Sequence, residues 1–150
     1  MSPILVDTWA WLALADQRDP YHHLASRQHS AFLQARRGYV TTDFILSELI
    51  SSLFQVLSFG DAKAFADRLF VAFEAGKQDL IHVTPSQFRR AYELRLRYQD
   101  KPDISFVDLT SMVVMQEIGI TDIFTGDAHF LQVRLGFRLC PDPSARTPAP

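Results

Sequence analysis

Cys140 is the only cysteine in this 150-residue chain, so a disulfide framework and a cysteine-rich zinc site are both excluded within one chain. An excess of one charge sign is also missing. The formal net charge of -2 argues against nucleic-acid binding by global charge, while leaving a local basic patch open. No apolar run approaches the roughly 18 residues of a membrane span. The N-terminus lacks the basic and long apolar regions of a signal peptide, so a cytoplasmic protein is expected. There is no internal repeat, and the only biased segment is the tail from Pro141, which holds four of the eight prolines. What remains is an ordinary globular composition, 47% hydrophobic and 21% charged, in a length that fits one domain with a real core.

Against that plain background, four acids stand out: Asp7, Glu48, Asp108 and Asp127. Each sits beside or inside an apolar run, where a carboxylate is costly to place. Asp7 follows Pro3-Ile4-Leu5-Val6, and Asp127 follows Ile120-Thr121-Asp122-Ile123-Phe124-Thr125-Gly126. Glu48 and Asp108 interrupt apolar helical patterns. Carboxylates gathered from remote segments suit a hard divalent cation such as Mg²⁺ or Mn²⁺, which prefers oxygen ligands and offsets their repulsion.

Short apolar runs alternate with helical patterns. Strands are expected at Pro3 to Val6, Tyr39 to Thr41, Leu80 to Val83, Ile120 to Phe124 and, as a short edge, Phe137 to Cys140. Helices are expected from Trp9 to Ala15, Pro20 to Arg37, Phe44 to Leu57, Ala62 to Ala75, Pro85 to Gln99 and Ser105 to Ile118. This alternation predicts an α/β fold with a mostly parallel sheet. In such sheets sites collect at the carboxyl ends of strands, where Asp7 and Asp127 fall. Residues 1–140 form the expected domain, and 141–150 a disordered tail.

Each acid has a plainer role available. Asp7 and Asp127 can cap the helices that follow them. Ser105-Phe106-Val107-Asp108 matches a capping box, and Glu48 can be a solvated helix residue at the edge of an apolar stripe. Two other acid-based families fail on residues. A haloacid-dehalogenase-type phosphatase needs a second Asp where Trp9 stands. A response-regulator receiver needs a phosphorylated Asp where Thr84 stands, and a late Lys, yet no Lys follows Lys101.

The ordered set Ile4-Leu5-Val6-Asp7-Thr8, Ser47-Glu48-Leu49, Ser105-Phe106-Val107-Asp108 and Thr125-Gly126-Asp127-Ala128-His129-Phe130 resembles the PIN-domain family, and within it the VapC-type toxin ribonucleases. The resemblance runs from residue 3 to about 140. It implies a three-layer α/β/α fold with a parallel sheet of about five strands and metal-dependent cleavage of RNA. Carried over, Asp7, Glu48, Asp108 and Asp127 match the acidic quartet. Asp7 and Asp108 are the foremost metal ligands, Glu48 and Asp127 further ones, and Thr8 and Thr125 supporting hydroxyls. The sequence departs from the family pattern at Gly126, often a larger residue, and at Leu109, where a small residue is common. Both departures bear on pocket shape.

The same resemblance implies a small antitoxin partner and a homodimer. It leaves two other readings: a non-catalytic PIN-like binding module and a housekeeping RNA-processing nuclease. A DNA flap nuclease normally needs a longer chain. Arg89, Arg90, Arg95, Arg97 and Lys101, interleaved with Tyr92 and Tyr98, form the densest basic stretch, suited to phosphates and bases. A solvated helix face broken by Glu93 is the favoured reading of them, and Arg36 and Arg37 are expected to complement a helix dipole. The five histidines offer no helical H-x₃-H pair for zinc. Of the 12 phenylalanines, Phe54, Phe59, Phe65, Phe70 and Phe73 crowd two helices and are expected mostly in the core, any exposed ones forming a groove for a partner helix.

Overall fold

The computed structural model of the chain describes residues 2–145. Five strands, β1 (Ile4–Val6), β2 (Tyr39–Thr42), β3 (Asp79–Ile81), β4 (Asp122–Phe124) and β5 (Arg138–Cys140), form one sheet in the order β3-β2-β1-β4-β5. Every pairing is parallel, and Leu5 lies between Val40 and Ile123. Ile4, Leu5, Val6, Ile123 and Phe124 are wholly buried. Unbroken apolar strands are what a parallel sheet covered on both faces requires.

The helices are α1 (Thr8–Ala15), α2 (His22–Gln34), α3 (Asp43–Val56), α4 (Phe59–Glu74), α5 (Pro85–Arg97), α6 (Phe106–Ile118) and α7 (His129–Gln132). Neighbouring helices pack in two groups, α1 to α4 and α5 to α7, joined where α3 meets α6. The architecture is the expected α/β/α arrangement. α6 is buried at every position from Asp108 to Met115, so this stretch runs through the core and the last turn reaches solvent. Gly119 closes it in the left-handed conformation at φ 74.

The strand order creates the site. From β1 the chain moves outward through β2 to β3, then returns to β4 on the other side of β1. The connections leaving β1 and β4 diverge, which opens a crevice at their carboxyl ends. Two backbone hydrogen bonds fix this rim, from the Asp7 amide to Phe124 O at 3.1 Å and from the Thr125 amide to Cys140 O at 3.0 Å.

Several local expectations need correction. α2 stops at Gln34, short of Arg37, because Arg36 adopts φ 53 and turns the chain toward β2. Arg37 therefore serves no helix dipole. Its guanidinium meets Asp122 at 2.9 Å and its Nε donates to Ser2 O at 2.8 Å. α4 begins at Phe59 because Ser58 accepts the Asp61 amide. The phenylalanines of α3 and α4 are less buried than expected. Phe54, Phe59 and Phe70 are exposed, while Phe65 and Phe73 lie partly buried at the core's margin. Smaller or slimmer residues, Ala62, Ala66 and Leu69 on α4 and Leu49 and Leu53 on α3, take the core positions instead. Of the predicted tail, Pro141 is buried and Pro143–Ala145 form a 3-10 turn, while the remainder lies outside the described residues. No described helix is long and apolar enough to cross a membrane.

Candidate metal centre

β1 delivers Asp7 into the crevice. Asp7 occupies the N-cap position of α1, yet its side chain makes no capping bond. Its Oδ2 instead accepts the Thr125 hydroxyl at 2.7 Å, across 118 residues of sequence. The same hydroxyl oxygen accepts the Asp127 amide at 3.1 Å. Thr125 therefore joins the first acid to the loop that carries the last.

α6 brings Asp108 to the same place from its first turn. Ser105 caps the helix by accepting the Asp108 amide at 3.1 Å, which leaves the Asp108 carboxylate free to turn into the crevice. There Oδ2 lies 3.1 Å from His129 Nδ1. That nitrogen is also 3.1 Å from Asp127 Oδ1. Asp127 does make a local bond, accepting the His129 amide at 2.8 Å. Both contacts fall on Oδ1, which has lone pairs for more than one partner, so the local bond and the pocket contact coexist. Donor atoms of Asp108, Asp127 and His129 all lie within 4.8 Å of one another.

Glu48 stands at the rim, exposed on α3. The Thr8 hydroxyl donates to its Oε1 at 2.8 Å, so the residue after Asp7 ties the fourth acid to the cluster's edge. All four predicted acids and both predicted hydroxyls thus meet at one end of the sheet, with Asp7 and Asp108 buried.

Electrostatics records this crowding. Burial pushes the Asp7 carboxyl up to about 7, with the charges of Asp108 and Asp127 adding to the rise. The Thr125 and Thr8 hydrogen bonds pull it partly back. Asp108 is raised to about 6, first by burial and then by Asp127, against the lowering effect of His129. Carboxylates held this close in a dry crevice carry protons near neutrality unless a cation replaces them. Asp108, Asp127 and His129 form a donor set that fits a divalent cation, with Asp7 close enough to feel the charges of Asp108 and Asp127 and Glu48 at the rim.

His129 was absent from the expected site. His129 belongs to no H-x₃-H pair; its informative spacing is i,i+2 from Asp127 within the Thr125–Phe130 segment. The Gly126–Trp9 contact was equally invisible. A Cβ on Gly126 would overlap the Trp9 indole. The glycine lets the ring, tilted 5.4 Å from Tyr21, lie on the loop between Thr125 and Asp127.

The basic stretch is divided by the structure. Arg95 donates to the carbonyls of Ile104, Tyr98 and Lys101, closing the end of α5. Arg90 pairs with Glu117 at 3.1 Å, near the far end of α6 from Asp108. Arg89 lies over the Tyr92 ring, and Arg97 borders a cleft between α5 and α6 with Arg90 and Val113. Lys101 is placed differently. With Tyr98, Ala128, Leu131 and Arg134 it lines a groove of about 620 Å³ that begins one residue from Asp127.

A family model described as PIN domain matches residues 4–135. The chain belongs to the PIN-domain family. Its fold is similar to that of VapC20 from Mycobacterium tuberculosis, a sarcin-ricin loop cleaving toxin. That likeness has a TM-score of 0.72 and 28% identity, over 87% of this chain and 94% of that one. VapBC2 from Rickettsia felis, bound to a promoter DNA fragment, matches with a TM-score of 0.65 and 13% identity, over 93% of this chain and 97% of that one. DNA-bound VapBC from Salmonella typhimurium gives 0.59 and 15%, over the same 93% and 97%. The last two likenesses concern fold alone. No curated protein sequence matches this chain.

Proposed function

We propose that this PIN domain, comprising residues 1–140, is a divalent-metal-dependent endoribonuclease and the toxin of a toxin–antitoxin pair acting in the cytoplasm. The observation that carries the reading is the convergence of Asp7, Asp108 and Asp127 at the β1–β4 crevice, with Asp7 bonded to Thr125 and not capping its helix. A carboxylate kept only as a cap would bond the helix amides it faces. That argues against the non-catalytic binding module.

In this reading Asp7 and Asp108 hold Mg²⁺ or Mn²⁺, with Asp127 beside them. A cation held there would supply Lewis acidity, lowering the pKa of a bound water and offsetting charge on the phosphoryl oxygens. Thr125 keeps Asp7 oriented and favours its charged form. Thr8 does the same for the orientation of Glu48, which meets the water from the rim. RNA leaves the crevice across Ala128 into the groove of Lys101 and Arg134, where Tyr98 and two cations meet backbone and base. Arg89, Arg90 and Arg97 on α5 do not line this groove and have weaker claims; Arg90 pairs with Glu117 as Lys101 pairs with Asp100.

An antitoxin is the proposed protein partner, with a second copy of this chain as a further one. Exposed Phe54, Phe59 and Phe70 on α3 and α4 supply apolar surface for a covering helix. Two assays test the reading. Purified protein should cut end-labelled structured RNAs, among them tRNA and a sarcin-ricin loop hairpin, only with Mg²⁺ or Mn²⁺. Expression of the chain should slow bacterial growth while Asp108→Asn does not. Cleavage without growth arrest would favour a housekeeping nuclease over a toxin.

A further inference from the structure

The Asp108–Asp127 pair is completed by a nitrogen, and oxygen-only sites and mixed sites choose different ions. His129 Nδ1 lies 3.1 Å from both Asp108 Oδ2 and Asp127 Oδ1. Three features hold it there. Its own amide donates to Asp127 Oδ1 at 2.8 Å, the short helix α7 begins at its Cα, and the next residue, Phe130, is wholly buried and packs on Phe137. The backbone that carries the imidazole is therefore fixed beside the two acids. The three donor atoms lie within 4.8 Å of one another, close to the roughly 4.4 Å that two donors about 2.2 Å from one ion can span. A modest rotamer change closes the set around a single cation.

Mg²⁺ is hard, keeps its waters and binds through carboxylates. Imidazole is a better donor to first-row transition ions, and affinity rises along that row. We propose that His129 is a nitrogen ligand of the bound cation, and that it makes this centre select a first-row transition ion such as Mn²⁺ over Mg²⁺. The inference rests on the metal-dependent reading above and narrows it from either ion to one class.

The test is binding and spectroscopy on metal-free protein, with no turnover involved. Calorimetric titrations with Mn²⁺ and with Mg²⁺ are compared for the wild type and His129→Ala. The wild type should bind Mn²⁺ at least about tenfold more tightly than Mg²⁺. The variant should lose about 10- to 100-fold in Mn²⁺ affinity while Mg²⁺ affinity changes little. Pulsed EPR of the Mn²⁺-loaded wild type should show ¹⁴N coupling that vanishes in His129→Ala and in Asp108→Asn. The second variant separates this centre from adventitious binding at the other histidines. Mn²⁺ bound without nitrogen coupling, or an unchanged Mn²⁺/Mg²⁺ ratio in His129→Ala, overturns the proposal and leaves the nuclease reading standing. Failure of the wild type to bind either ion overturns both. Should His129→Ala fail to fold, wild-type ¹⁴N coupling that is lost in Asp108→Asn decides.

Discussion

The Thr125 hydroxyl donates to Asp7 Oδ2 at 2.7 Å, joining the carboxyl ends of β4 and β1 across the crevice. The same oxygen receives the Asp127 amide, so one buried threonine aligns two acids from segments remote in sequence. Thr125→Val keeps the shape and removes both bonds. It should cost about 1 kcal/mol of stability and about tenfold in metal affinity, read by urea melts and calorimetric titration. Unchanged metal affinity would mean that Thr125 only packs.

Asp7→Asn and Asp108→Asn should each lower cleavage by at least about 100-fold, the scale of losing a charge that stabilises the transition state. Their metal-free melting temperatures should hold or rise, because each removes a repelling carboxylate raised by burial and its neighbours. The rise in melting temperature on adding metal should shrink. Glu48→Gln and Asp127→Asn should also damage cleavage, Glu48→Gln less, since it stands exposed at the rim. A large metal-free loss in any variant would assign that acid a structural role.

The raised carboxyls make a signed prediction about pH. Asp7 titrates at about 7 in the folded chain against an ordinary 3.8, so the native state holds a proton that the unfolded state releases. Its contribution to metal-free stability is full below about 4 and is lost as pH rises through about 7. Asp108 acts in the same sense up to about 6. His29, depressed by burial, acts in the opposite sense. The readout is therefore the stability of wild type minus that of Asp7→Asn, which should fall from pH 4 to pH 7 and flatten above. Saturating Mg²⁺ or Mn²⁺ should remove most of the fall. A difference that is flat with pH would show that Asp7 is ionised throughout.

Gly126 and Trp9 should behave as a pair. Gly126→Ala places a methyl inside the indole and should cost about 1–3 kcal/mol as an overpacked contact. In a Trp9→Leu background the same change should cost much less, giving a coupling above about 0.5 kcal/mol in a double-mutant cycle. Additive effects would place the ring elsewhere.

The elements that position the site were legible because their signals are local. The buried runs ending in Asp7 and before Asp127, the Ser105 cap and the αL closure at Gly119 were all readable from residues in order. The departures came from interactions across the sequence. Arg37 is taken from the end of α2 by Asp122, 85 positions away, whose carboxyl is itself lowered by Arg138 and Arg37. The phenylalanines of α3 and α4 were assigned to the core by hydrophobicity, which carries no information about which helical face meets the sheet. His129 escaped because its significance depends on Asp108, brought beside it from 21 residues away.

The central claim is that the clustered acids act through a bound divalent cation on RNA. The most direct measurement follows cleavage of one end-labelled structured RNA by wild type and Asp7→Asn, first in excess EDTA and then after adding Mn²⁺ or Mg²⁺. The account predicts no cleavage in EDTA, recovery on metal addition for the wild type, and none for Asp7→Asn. Full cleavage in excess EDTA, or full activity of Asp7→Asn with metal present, would contradict it.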